Sequence, residues 1–278
     1  MTMPDITQLA AVLSSIREKT PLVHCMTNYV TVNDCANVVL GVGASPIMSD
    51  EVEEVAEITS LCNALVLNIG TLHKASIAAD KVALEQAAEL SHPVVLDPVG
   101  AGASVLRTQT ALELLEMGGI TLIRGNMSEI KTLAGKSAHT RGVDVDPSDQ
   151  TTQENLAIQA SFACDCAASF GAVVAITGAI DVISDGVHTY AVHNGCAEMG
   201  TITGTGCMLS AFLGACAAVA TPLEAALAGV TVMGIAGEIA SERTQGAGNG
   251  TFRMYLLDAL STMTLETFVE RARIEQLS

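Results

Sequence analysis

ALVLNIGTLHKASIAADKVALEQAAELSHPVVLDPVG, residues 64–100, is the stretch that decides the fold. Residues 64–68 form an uninterrupted apolar run that ends in Asn68 and a glycine turn, and they read as a buried strand. Residues 74–90 have helical spacing. Residues 93–96 are again a short apolar run, which ends at Asp97-Pro98-Val99-Gly100. A buried strand, a helix and a second buried strand make a parallel crossover unit.

The same alternation extends outward. Helices are expected over 6–19, 32–40, 51–62, 103–117, 128–134 and 153–170, and strands over 22–26, 45–48, 121–123 and 172–176. Asp185-Gly186 between 181–184 and 188–192 is a hairpin signal. The tail from Cys207 onward reads as helical. This pattern predicts an α/β fold with a mostly parallel central sheet, helices on both faces and a late β-hairpin. No linker or repeat divides the chain, so residues 1–278 read as one domain. The polar piece 139–152 is too short to separate two domains and reads as a surface loop.

Composition narrows the function. The net charge of −17 argues against nucleic acid and against an anionic membrane surface. No uninterrupted apolar run is long enough to span a bilayer. The first twenty residues carry Asp5, Arg17, Glu18 and Lys19 and do not look like a secretory signal. The eight cysteines lack zinc spacing, which points to small thiols in a reducing cytoplasm. All thirteen Lys and Arg lie at or before Arg141, or at or after Arg243. A phosphate site in the cation-free stretch between them must rely on backbone N–H groups and a metal ion, with cations supplied from other segments.

Ligands of open α/β sheets bind at the carboxyl ends of the strands. Those ends here carry Asn28, Met48, Asn68, Asp97, Arg124, Asn126 and Thr177. Polar residues also follow strands simply because turns need them, and for Asn68 that explanation is as good as a functional one. Thr203-Gly204-Thr205-Gly206-Cys207 precedes a long apolar helix, where bare N–H groups and the helix dipole suit an anion. Asn126-x-x-Glu129 has two explanations: a capping box, or a carboxylate that holds Mg²⁺ on a phosphate chain.

Asp97-Pro98-Val99-Gly100, Asn126-x-x-Glu129 and Gly204-Thr205-Gly206-Cys207 together resemble the ribokinase-like small-molecule kinases. Most of that superfamily ends the glycine turn in Asp. Cys207 in that place, with the opening Val23-His24-Cys25-Met26-Thr27-Asn28 and Asp34-Cys35-Ala36-Asn37, resembles the hydroxyethylthiazole kinase family over roughly residues 9–255.

The resemblance implies a ribokinase-like layered αβα fold without a lid domain, and transfer of the ATP γ-phosphate to 4-methyl-5-(2-hydroxyethyl)thiazole in thiamine diphosphate salvage. It further implies that Met48 and Gly204 contact the thiazole with Asn28 nearby. Arg124 and Thr177 would contact ATP, Asp97 and Glu129 would hold Mg²⁺, and Cys207 would stand where the base stands. Members of this family are homotrimers with sites shared between subunits. Whether Cys207 is a base or only positions the hydroxyl stays open at the level of sequence. So do a kinase of another small alcohol, such as a hydroxymethylpyrimidine, and a nucleotide-binding sensor without catalysis.

Overall fold

A computed structural model describes residues 5–136 and 151–277. The surface loop expected over 139–152 lies almost wholly outside the described residues. All nine described strands belong to one sheet. They are β1 (Leu22–Met26), β2 (Ser45–Ile47), β3 (Ala64–Asn68), β4 (Val94–Asp97), β5 (Leu122–Asn126), β6 (Val173–Thr177), β7 (Asp181–Ser184), β8 (Thr189–Val192) and β9 (Ile274–Gln276). The order across the sheet is β2-β1-β3-β4-β5-β6-β7-β8-β9. Every pair from β2 to β6 is parallel, and the pairs from β6 to β9 are antiparallel.

The described helices are α1 (Ile6–Lys19), α2 (Val32–Gly41), α3 (Val55–Leu61), α4 (Lys74–Glu89), α5 (Val105–Met117), α6 (Met127–Leu133), α7 (Leu156–Phe170), α8 (Thr205–Ala217), α9 (Pro222–Thr244), α10 (Asn249–Thr262) and α11 (Leu265–Arg271). Two cores follow from the two-residue period of the strands. Ala64, Val66 and Val95 face a core shared with α1, α2 and α8 to α11. Leu65, Leu67, Val94 and Leu96 face the other core, shared with α4 to α7. The result is the layered αβα arrangement expected from the alternation.

Three expectations need correction. The helix expected over 51–62 begins only at Val55, because the acidic run before it forms turns. The strand expected over 121–123 runs on to Asn126, so Arg124 lies within β5, paired with Ala175 of β6, and not beyond the strand. The tail is not wholly helical, since β9 pairs with β8 through Tyr190 and Gln276. Three residues are too few to show a period, and the partner lies more than eighty positions away, so local sequence carries no sign of β9.

Helix α9 is long and apolar enough to cross a membrane by length and composition. Its most apolar window is 78% buried inside the fold, so that surface is spent on α8, α10 and the sheet. Small residues make this close layering possible. A Cβ on Gly214 of α8 would run into Val66 and come within 2.9 Å of Val23 Cγ1. The helix therefore rests directly on β1 and β3. Gly214→Leu should destabilise the fold by about 1–3 kcal/mol or more through overpacking. A thermal melt checks this, and an unchanged midpoint would show that the layer can shift freely.

Candidate active site

The carboxyl ends of the strands converge on Asp97, the last residue of β4, whose side chain is fully buried. One of its oxygens is well served. Asp97 Oδ2 accepts hydrogen bonds from Ser210 Oγ at 2.7 Å and from Asn68 Nδ2 at 3.0 Å, and Arg124 Nη1 lies 3.5 Å away. Asp97 Oδ1 is buried and has no hydrogen-bond partner among the described residues. Desolvation pushes the Asp97 carboxyl above the usual range, opposed by Arg124 and by the Ser210 and Asn68 hydrogen bonds.

A line of hydrogen bonds runs from Asp97 in both directions. Asn28 Nδ2 donates to Asn68 Oδ1 at 3.0 Å and to Cys207 Sγ at 3.2 Å. Asn28 is itself held by Val30 N and Thr31 N, which donate to its Oδ1. On the other side, Arg124 Nη2 donates to Thr177 Oγ1 at 2.6 Å. Cys207, Asn28, Asn68, Asp97, Arg124 and Thr177 thus form one connected array across the ends of β1, β3, β4, β5 and β6.

Cys207 sits inside the first turn of α8, whose N-cap, Gly204, brings no side-chain hydrogen bond. The first N–H groups of that helix therefore have no intrahelical acceptor, at the helix end that carries Cys207 of the array. Gly206 has a steric reason to be glycine, because a Cβ there would come within 2.6 Å of Arg124 Nη2. Burial, helped by the Asp97 charge, pushes the Cys207 thiol up, so it is neutral near pH 7.

Glu129 forms the capping box: its N–H donates to Asn126 Oδ1 at 2.9 Å, and its Oε2 accepts from Asn126 N at 2.8 Å. Its other oxygen, Oε1, accepts from Gly100 N at 2.8 Å, which ties α6 to the turn after Asp97. The structural explanation of the Asn-x-x-Glu pattern therefore holds. The site explanation is not displaced by it, because Glu129 is buried close enough to feel Asp97. Desolvation and the Asp97 charge push its carboxyl up to about 7.

Met48 and Gly204 are not hydrogen-bonded into the array. Met48 lines a cavity of about 190 Å³ that shares Asn68 with it, and Gly204 abuts Thr31. The Met48 segment is held by His24, buried between Thr59 Oγ1 at Nδ1 and Ser49 O at Nε2, both at 2.9 Å. Burial lowers the His24 pKa and keeps the ring neutral. A carbonyl only accepts, so Nε2 carries the proton and Nδ1 accepts from Thr59. Sequence reasoning missed Ser210 and Arg107. Ser210 is the one hydroxyl within the apolar run that follows Cys207 in α8, three residues after it, and that isolation was the available signal. Arg107 donates to the carbonyls of Val99 and Gly70 at 2.7 and 2.6 Å and clamps the ends of β3 and β4 together.

Residues 13–266 match the model of the hydroxyethylthiazole kinase family. A hydroxyethylthiazole kinase of Clostridium acetobutylicum is 50% identical over 266 residues, covering 95% of this chain and 97% of that one. The solved hydroxyethylthiazole kinase structure from Pyrococcus horikoshii is 37% identical, with a TM-score of 0.88 over 98% of this chain and 99% of that chain. A ribokinase-like superfamily protein from Enterococcus faecalis shares the fold at 11% identity, with a TM-score of 0.60 over 90% of this chain and 89% of that one.

The raised Glu129 pKa has a consequence for stability. Its acid form is favoured in the fold, so that contribution is full at acid pH and is lost as pH rises through about 7. Gln keeps the capping geometry without a charge. In metal-free protein, Glu129→Gln should therefore flatten the fall in melting temperature between the ordinary carboxylate range and pH above 7. An unchanged slope would mean that Glu129 contributes nothing to it.

Proposed function

The chain belongs to the hydroxyethylthiazole kinase family, and from that premise we propose that it transfers the γ-phosphate of ATP to the primary hydroxyl of 4-methyl-5-(2-hydroxyethyl)thiazole. The product is the thiazole phosphate used in thiamine diphosphate salvage. Residues 1–278 act as one ribokinase-like kinase domain. The observation that carries this reading is the hydrogen-bonded line from Cys207 through Asn28 and Asn68 to Asp97, which joins an acceptor end to a phosphate end.

At the phosphate end, Arg124 and Thr177 bind ATP, and the bare N–H groups at the start of α8 face the phosphoryl group in flight. Mg²⁺ fits the donor set. Among the described residues, Asp97 Oδ1 is an unpartnered buried carboxylate oxygen, and Asp97 with Glu129 outnumbers the one cation beside them, Arg124. Asp97 would hold the ion directly and Glu129 through water, and the ion would neutralise charge on the phosphate chain.

At the acceptor end, Met48 and Gly204 contact the thiazole, with Asn28 alongside. Asn28 orients Cys207 by donating to its sulfur. A thiol kept neutral by burial is a poor base, so Cys207 positions the hydroxyl and accepts its hydrogen bond. A loose phosphoryl-transfer transition state asks mainly for that positioning.

The enzyme works as a homotrimer with shared sites. Tyr29 and Val32 of the cavity lining, with the neighbouring Val30, expose apolar surface, as a subunit contact would require. A cytoplasmic location fits eight cysteines that are all free.

ATP consumption should depend on the thiazole alcohol and on Mg²⁺, and the activity should sediment with a trimer. Asp97→Asn should abolish most turnover, and Arg124→Ala should raise the KM for ATP far more than that for the thiazole. Thiazole-independent ATP consumption, or an active monomer, would contradict the corresponding part of this reading.

Cys207 gives a sharper test. General-base assistance is worth about 10²–10⁴-fold, of which a loose transition state uses only part. Cys207→Asp should therefore keep or raise kcat, and Cys207→Ala should lower it modestly. Complete loss in both variants, with phosphate trapped on the wild-type cysteine, would make Cys207 a covalent nucleophile instead.

A further inference from the structure

The cavity beside Asn68 contains a group that the mechanism does not use. Asp80, in α4, lines it together with Met48, Thr27, His73 and Ser76. Asp80 is 5% exposed, and no side chain or backbone N–H among the described residues donates to its carboxyl. Its neighbours on the buried face of α4 are Ala79, Ala83, Leu84 and Ala87. An apolar side chain would be the stable choice in such a row. A buried carboxyl without a partner costs stability, so its presence on a cavity wall points to a ligand.

The surroundings decide which form of the carboxyl faces that ligand. Burial, and then the negative charge of Asp50, push Asp80 up to about 7. The other charged groups on the packed elements are engaged or turned outward. Lys81 of α4 pairs with Glu113 of α5 at 2.6 Å, His73 and Asp50 lie 4.0 Å apart, and Glu57 of α3 is exposed. The serine hydroxyls of the cavity wall are committed too: Ser76 Oγ donates to the His73 carbonyl at 2.9 Å, and Ser49 Oγ donates to Glu54. Below about pH 7 Asp80 is therefore largely the acid, which has an O–H to give. The cavity, at about 190 Å³, is smaller than the roughly 300 Å³ at which pockets for drug-sized ligands begin, and it suits one small heterocycle.

We propose that Asp80 is the specificity residue of the acceptor cavity, and that its carboxyl O–H donates a hydrogen bond to the ring nitrogen of the thiazole alcohol. This rests on the kinase reading above. A thiazole nitrogen has a lone pair and no hydrogen, so it can only accept, and it needs a donor on the wall. Asn68, common to the cavity and to the hydrogen-bonded array, puts the ring end of the substrate next to the site where its hydroxyl reacts.

The test compares wild type, Asp80→Asn and Asp80→Leu by steady-state kinetics from below to above pH 7. The acceptors are the thiazole alcohol and its thiophene analogue, in which a C–H replaces the ring nitrogen. For wild type, the KM for the thiazole should rise as pH passes through about 7, because the donor is lost. Asp80→Asn keeps an N–H donor at every pH, so its KM should stay flat. Asp80→Leu should raise the thiazole KM about tenfold, the usual loss for one buried hydrogen bond, without moving the KM for ATP. The thiophene KM should not distinguish Asp80→Leu from wild type.

The stability sign is separate. In ligand-free protein the buried acid stabilises the fold at acid pH, and this is lost as pH rises through about 7. Melts that follow this slope while Asp80→Leu keeps the wild-type thiazole KM would overturn the proposal and leave Asp80 a structural carboxyl. Wild type that turns over no thiazole alcohol at any pH would overturn the kinase reading itself.

Discussion

A carboxylate buried at the end of a central strand has to be neutralised, bonded or protonated, and much of the site follows from how Asp97 is accommodated. Its Oδ2 is satisfied by Ser210 from α8 and Asn68 from β3, with Arg124 of β5 close by. Those three partners come from three different elements, so the carboxylate fixes how α8 sits over the sheet ends and how β3, β4 and β5 are staggered. Its second oxygen has no partner among the described residues. The fold therefore leaves one coordination position open at the point where strands and helix N-terminus meet, which is where a phosphate-bound cation would relieve the charge.

The same economy governs the glycines that matter. Gly206 lets the Arg124 guanidinium pass directly over the first turn of α8, and Gly214 lets the middle of that helix lie on β1 and β3. One helix thus reaches the sheet closely at two heights, bringing Cys207 and Ser210 to the strand ends at once. The burial needed to bring these groups together also keeps the Cys207 thiol neutral and raises Glu129 and Asp80 to about 7. Chemistry here is set by desolvation more than by charge pairs, in keeping with a chain that has thirteen Lys and Arg against thirty Asp and Glu.

Much of this was legible in the residues. Buried strands and intervening helices announce themselves by period and by the polar residues that stop them, and for β1, β3 and α1 the expected limits are the observed ones. The residues singled out at the strand ends, Asn28, Asp97, Arg124 and Thr177, do meet, because parallel strands place all their carboxyl ends on one edge. Helix α3 and strand β9 were misjudged, because an acidic run hides a late helix start and a three-residue edge strand has no period to detect.

Local sequence was enough for the layered parallel α/β architecture, the edge that carries the site, and the motifs that assign the chain to its kinase family. These depend on local period, turn chemistry and short motifs, all of which are written within a few residues of each other. Only packing in three dimensions set the partners: Ser210 for Asp97 across 113 positions, Asn28 for Cys207 across 179, and for Asp80 none among the described residues. Strand order and helix packing set those distances, and the burial they impose is what shifts the protonation of each group.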